Sequence, residues 1–172
     1  MKISPIIVVM SCFISTFSYC QDLSKLDIKF GLKQFKLESN FELYESQLHF
    51  EFDATDGSKY YSYTGSDLKE ILGVEVSQIL LSFYKQKLYY IKVIYTPKNQ
   101  FHEVMINQKL DDLFGKTENK VIKKQYDFQY TWETNKTYLE YIKFRQDWIE
   151  PEQLEIRLYS KAMKQLILDD GF

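Results

Sequence analysis

The sequence predicts an α+β fold: an antiparallel β-sheet of about six to eight strands with one or two helices packed on one face. Three observations carry this. The chain holds 14 Tyr and 13 Phe but only 6 Gly and 3 Pro, a balance that favours strands over loops. Apolar and polar residues alternate in short runs bounded by turn residues. One longer segment instead repeats its apolar residues at helical spacing.

Taken in order, Leu26-Asp27-Ile28-Lys29-Phe30 alternates as a short strand would. Gly31 then leads into a short helix over residues 32–37. Residues 47–53 alternate again, which puts Leu48, Phe50 and Phe52 on one face. Thr55-Asp56-Gly57-Ser58 is a turn signal, so residues 60–63 return as the partner strand. Residues 76–83 and 88–95 form the clearest hairpin, joined through Tyr84-Lys85-Gln86-Lys87 and ended by Pro97. Asn99 can cap a helix over residues 100–114. Its Ile106, Leu110, Leu113 and Phe114 recur at i, i+4, i+7 and i+8, and Gly115 supplies a stop. Strands follow at residues 121–126, 130–133, 138–144 and 154–159. Residues 135–137 and 146–152 read as turns, the second marked by Pro151. Residues 162–168 suit either a last strand or a frayed helix.

The first twenty residues read as a leader. Lys2 supplies a positive start, an apolar run follows from Ile6 to Phe17, and Ser18-Tyr19-Cys20 places small residues at the cleavage positions. The run is about a dozen residues, short of the ~20 that span a bilayer. Cleavage before Gln21 leaves residues 21–172 as a single α+β domain, secreted or periplasmic. It would also remove Cys12 and Cys20, the only cysteines, so the domain must be held by its core alone. The competing outcome is a lipid anchor at Cys20, against which the bulky Tyr19 argues.

Charge narrows the partners. The chain is nearly balanced at −2, and its charges are well mixed. No basic block offers a footprint for nucleic acid or lipid headgroups. His49 and His102 lack the spacing of a metal site. No Gly-x-Ser-x-Gly turn supports a nucleophile, and no Gly-rich loop supports a nucleotide. Asp53-Ala54-Thr55-Asp56-Gly57 lacks the ligand alternation of a calcium loop and reads as a hairpin turn. Asp111-Asp112 and Asp169-Asp170 are adjacent in sequence and read as solvated charge. The sequence therefore predicts no catalytic set, no metal and no cofactor.

The aromatics are the better clue, because rings alternating along strands reach both sheet faces. One set belongs under the helix, and the other is free to bind a partner. Tyr130, Trp132, Tyr138 and Trp148 are the candidate binding anchors.

The chain also divides into two comparable halves. Phe30-Gly31 and Leu113-Phe114-Gly115 fall at matching places, and the hairpin running from Ser82-Phe83-Tyr84 through Leu88 to Ile94 has a counterpart ending near Tyr159. In that pattern the chain resembles the β-lactamase-inhibitor-protein-like fold, shared with small outer-membrane assembly lipoproteins. The resemblance implies a degenerate tandem repeat and a non-catalytic domain that binds protein through one sheet face. The expected function is an exported protein-binding module of inhibitor, immunity or envelope-assembly type. Two alternatives stand beside it. A small-ligand carrier or envelope lipoprotein predicts an enclosed cavity, and an unrecognised hydrolase needs a cleft joining His49 or His102 to a carboxylate and a nucleophile.

Overall fold

Two four-strand meanders meet through their last strands in one antiparallel sheet. The computed structural model describes residues 24–97, 99–117, 120–121, 125–144 and 152–171. The expected leader, residues 1–20, lies outside them. In chain order the elements are α1 (Ser24–Lys29), β1 (Gly31–Leu32), β2 (Phe35–Lys36), β3 (Leu48–Asp53), β4 (Lys59–Tyr63), β5 (Glu70–Ile71), β6 (Val74–Glu75), β7 (Gln78–Tyr84) and β8 (Lys87–Tyr95). The second half comprises α2 (Gln100–Phe114), β9 (Lys120–Val121), β10 (Tyr126–Glu133), β11 (Thr137–Phe144), β12 (Leu154–Ser160) and α3 (Lys161–Asp169). The large sheet runs β3-β4-β7-β8-β12-β11-β10-β9, while β1-β2 and β5-β6 are separate small hairpins.

Alternation sorts the side chains cleanly. One face carries Leu81, Ile91, Val93, Tyr95, Leu139, Tyr141, Ile156 and Leu158, all buried. Leu26 of α1 and Ile106, Leu110 and Phe114 of α2 pack into the same core, with Ile71 and Val74 of the β5-β6 hairpin. We call this the inner face. The outer face bears a smaller cluster, in which Met163 and Ile167 of α3 cover Tyr84 and Tyr89.

The helix over 100–114 forms with the expected chemistry. Asn99 Oδ1 accepts from the Phe101 and His102 backbone N–H groups at 3.0 and 3.3 Å. Gly115 ends it at φ 81°, a conformation that strains any side chain. The hairpin at 84–87 closes with only Lys85 and Gln86 between strands, both at positive φ (47° and 63°) as a tight right-twisted turn demands.

Several early elements differ from expectation. Residues 26–29 lie in helix α1 rather than in a strand, with Leu26 the one buried side chain of the helix, and Phe30 follows it at φ 43°. Asp27 also anchors the element by accepting from Thr134 Oγ1 and from Thr137 Oγ1 (3.1 Å). Residues 32–37 form the β1-β2 hairpin instead of a helix. Gly31 makes it possible, since a Cβ there would sit 2.1 Å from the Phe35 carbonyl oxygen. Residues 162–168 are helical, capped by Ser160 Oγ, which accepts from the Met163 N–H at 3.2 Å. Leu48, Phe50 and Phe52 do not share a face. A bulge between Phe50 and Phe52 sets Phe50 against Tyr61 and Phe52 against Tyr60, so Phe52 turns to the outer side.

Candidate functional site

That bulge completes a row of rings. On the outer face the register runs Phe52↔Tyr60↔Ser82↔Tyr90↔Tyr159↔Tyr138 across β3, β4, β7, β8, β12 and β11. Five of these six positions are aromatic. At about 4.8 Å per strand, the row is roughly 24 Å long. Phe52 stacks on Tyr60 at 4.7 Å and 10°, and Tyr138 stacks on Tyr159 at 4.8 Å and 22°. Ser82 is the one small member. It leaves room for Tyr60 and Tyr90 to meet edge-on over it at 6.2 Å.

The rings are held but not sealed. Phe52 is 50% exposed, and Tyr60, Tyr90, Tyr138 and Tyr159 are half-buried. Between the row and α3 lies a groove of about 430 Å³, floored by Tyr90 and Tyr159 and walled by Lys164, Ile167 and Leu168. The Lys164 ammonium sits 4.6 Å over the Tyr159 ring. Packing by α3 thus fixes one side of the row while solvent reaches the other.

Beside the aromatic row runs a charged one. Lys92, Arg157 and Glu140 occupy successive strands β8, β12 and β11. Glu155, only 2% exposed, receives Lys92 Nζ at 2.8 Å and Arg157 Nη2 at 2.6 Å. Gln129 Nε2 donates to Glu140 at 2.6 Å. Burial opposes the charge on Arg157, but the Glu155 carboxylate outweighs it and holds the guanidinium's pKa above its usual value. The charges are therefore spent on one another.

Burial also pushes up the hydroxyl pKa of Tyr60, Tyr90, Tyr138 and Tyr159. All four remain neutral phenols at physiological pH. The surface they make is rigid and amphipathic, able to stack and to donate hydrogen bonds. His49 stands on the outer side of β3, while His102 belongs to α2 on the inner side, so the sheet separates the two. Among the described residues no group of three or more His, Cys, Asp or Glu could hold a metal ion. The Asp53–Gly57 stretch is a hairpin turn, with Asp56 Oδ1 accepting from the Ser58 N–H at 3.0 Å.

Of the expected anchors, Tyr130 and Trp132 share the inner face with their rings 6.5 Å apart, and Tyr138 lies on the outer face. Trp132 is 1% exposed in the inner core, and its indole N–H donates to the Gly115 carbonyl at 2.8 Å. It ties β10 to the end of α2 and is not open to a partner. Tyr130, two residues away on the same face, packs against that core beneath Lys120. Tyr138 alone reaches the outer row, and Trp148 lies outside the described residues. Phe52, Tyr60, Tyr90 and Tyr159 were missed as a set. The tight 85–86 turn by itself would set Ser82 opposite Tyr89; a bulge between Ser82 and Phe83 moves the register on to Tyr90, and nothing in the sequence marks that bulge or the one that turns Phe52.

No helix among the described residues is long and apolar enough to cross a membrane. Comparison with family models, curated proteins and solved structures returns no match for this chain.

Proposed function

We propose that the chain is an exported, non-catalytic protein-binding module that offers its outer aromatic row to another protein. One observation carries this reading: five aromatic side chains on a single register row, held rigidly by stacking and by α3 yet still reached by solvent. A stable interface covers about 800 Å² on each partner, a patch whose width is close to the ~24 Å row. Tyrosine is the residue type that contributes most at such contacts for little entropy. The neighbouring ion pairs add polarity without leaving unmatched charge to select against a neutral partner.

The test is affinity capture with the full chain on envelope and secreted fractions of its own source. The reading expects one stoichiometric protein, retained by a Phe101→Ala control on the exposed side of α2 and lost by a folded Tyr90→Ala/Tyr159→Ala variant. Capture that ignores the row substitutions overturns it.

A further inference from the structure

The inner side carries a second cavity, unconnected with the aromatic row. It measures about 570 Å³ and opens between α2 and the tips of the two small hairpins. That volume falls within the range of small-molecule sites. Its depth is apolar: Ile71, Leu110, Leu139 and Ile156 reach it from four different elements. Among the described residues no Asp, Glu, Asn, Gln, Ser, Thr or Tyr lines it, and its only charged side chains are those of Lys29, Lys33 and Lys109, all three exposed residues. Among the described residues none of them forms an ion pair, although Lys29 leans over the Phe114 ring at 5.8 Å.

We infer that this cavity binds a single-chain anionic amphiphile, namely a long-chain carboxylate. An interior without hydrogen-bonding side chains rejects sugars, nucleosides and peptides, whose polar groups would be left unpaired. It accepts an alkyl chain. Three ammonium groups at the mouth, none of them in an ion pair among the described residues, outnumber the Glu70 carboxylate that lies beside Gly73 on the rim, and so select an anionic head over a neutral one. The hairpin tips that form the rim are tight turns, with Lys33 and Leu72 at φ 54° and 55° and Gly73 at φ 79°.

The experiment is calorimetric titration of the delipidated full chain with decanoate, laurate and myristate, and with dodecanol. One carboxylate should bind per chain, with affinity rising about fourfold per added methylene. Lys29→Gln/Lys33→Gln/Lys109→Gln should weaken laurate about tenfold and leave dodecanol within about twofold. Leu113→Trp, at the half-buried wall, should abolish saturable binding. If that variant does not fold, the lysine variant decides alone, since its changes are all on exposed residues. No saturable binding of laurate below about 100 μM, or binding indifferent to the lysines, overturns the inference.

Discussion

Trp132→Phe and Trp132→Ala separate a core role from a binding role. In the folded chain the indole fills the inner core at 1% exposure and donates to the Gly115 carbonyl at the end of α2. Phenylalanine keeps most of the ring but leaves that carbonyl without its donor, a loss of about 2 kcal/mol when the group is buried. Alanine also opens a cavity, and such truncations cost about 3–5 kcal/mol. At about 2–4 °C per kcal/mol for a chain of this size, Trp132→Phe should melt about 4–8 °C lower. Trp132→Ala should fall by about 6–20 °C. Urea and thermal unfolding followed by far-ultraviolet circular dichroism measure both without relying on the deleted fluorophore. At a temperature where Trp132→Phe is folded, its affinity for a captured partner should stay within about twofold of the parent. A Trp132→Ala chain as stable as the parent but unable to bind would refute the burial argument.

Four further outcomes follow from the same packing. Tyr95 is fully buried and its hydroxyl finds no hydrogen-bond partner among the described residues, so Tyr95→Phe should raise stability by about 1 kcal/mol in urea melts. Glu155→Gln removes the charge shared by Lys92 and Arg157. Because those partners keep some solvent contact, the loss should be about 2–3 kcal/mol, toward the low end for a buried pair. Gly31→Ala should destabilise by about 1–3 kcal/mol, since its Cβ would meet the Phe35 carbonyl oxygen. The Tyr84 hydroxyl, donating to Asp170 at 2.5 Å, is pushed up to about 12. A raised phenol favours the folded state fully below pH ~10 and loses that contribution as pH rises through about 12. Phenolate absorbance and circular dichroism should therefore show α3 loosening across that window, and Tyr84→Phe should remove the step.

The large elements were legible because each satisfies a local and a global demand together. Residues 100–114 carry a cap, a helical apolar stripe and a terminating glycine, and the core uses all three. The strands flanking the 84–87 turn pair with each other, and β8 alternates in burial from Tyr89 onward. The short N-terminal pieces were not legible, because five alternating residues such as 26–30 fit a strand or one and a half turns of helix equally well. Long-range partners decide them, here Asp27 with Thr134 and Thr137. The site failed for a related reason. Trp132 and Tyr138 are both aromatic strand residues, and only register places one beneath α2 and the other in the outer row. A single bulge then moves Phe52 across the sheet, and bulges depend on the paired strand rather than on the residues that form them.

The central claim is that the outer row binds a protein, and dissociation constants of the captured partner test it most directly. Phe52→Ala, Tyr90→Ala and Tyr138→Ala sample both ends and the middle of the row, while Phe101→Ala and Val104→Ala alter exposed apolar residues of α2. The account predicts at least about tenfold weaker binding for two of the three row variants, each still folded, and changes within about twofold for the α2 variants. Unchanged affinity across the row, or loss confined to Phe101 and Val104, would contradict it.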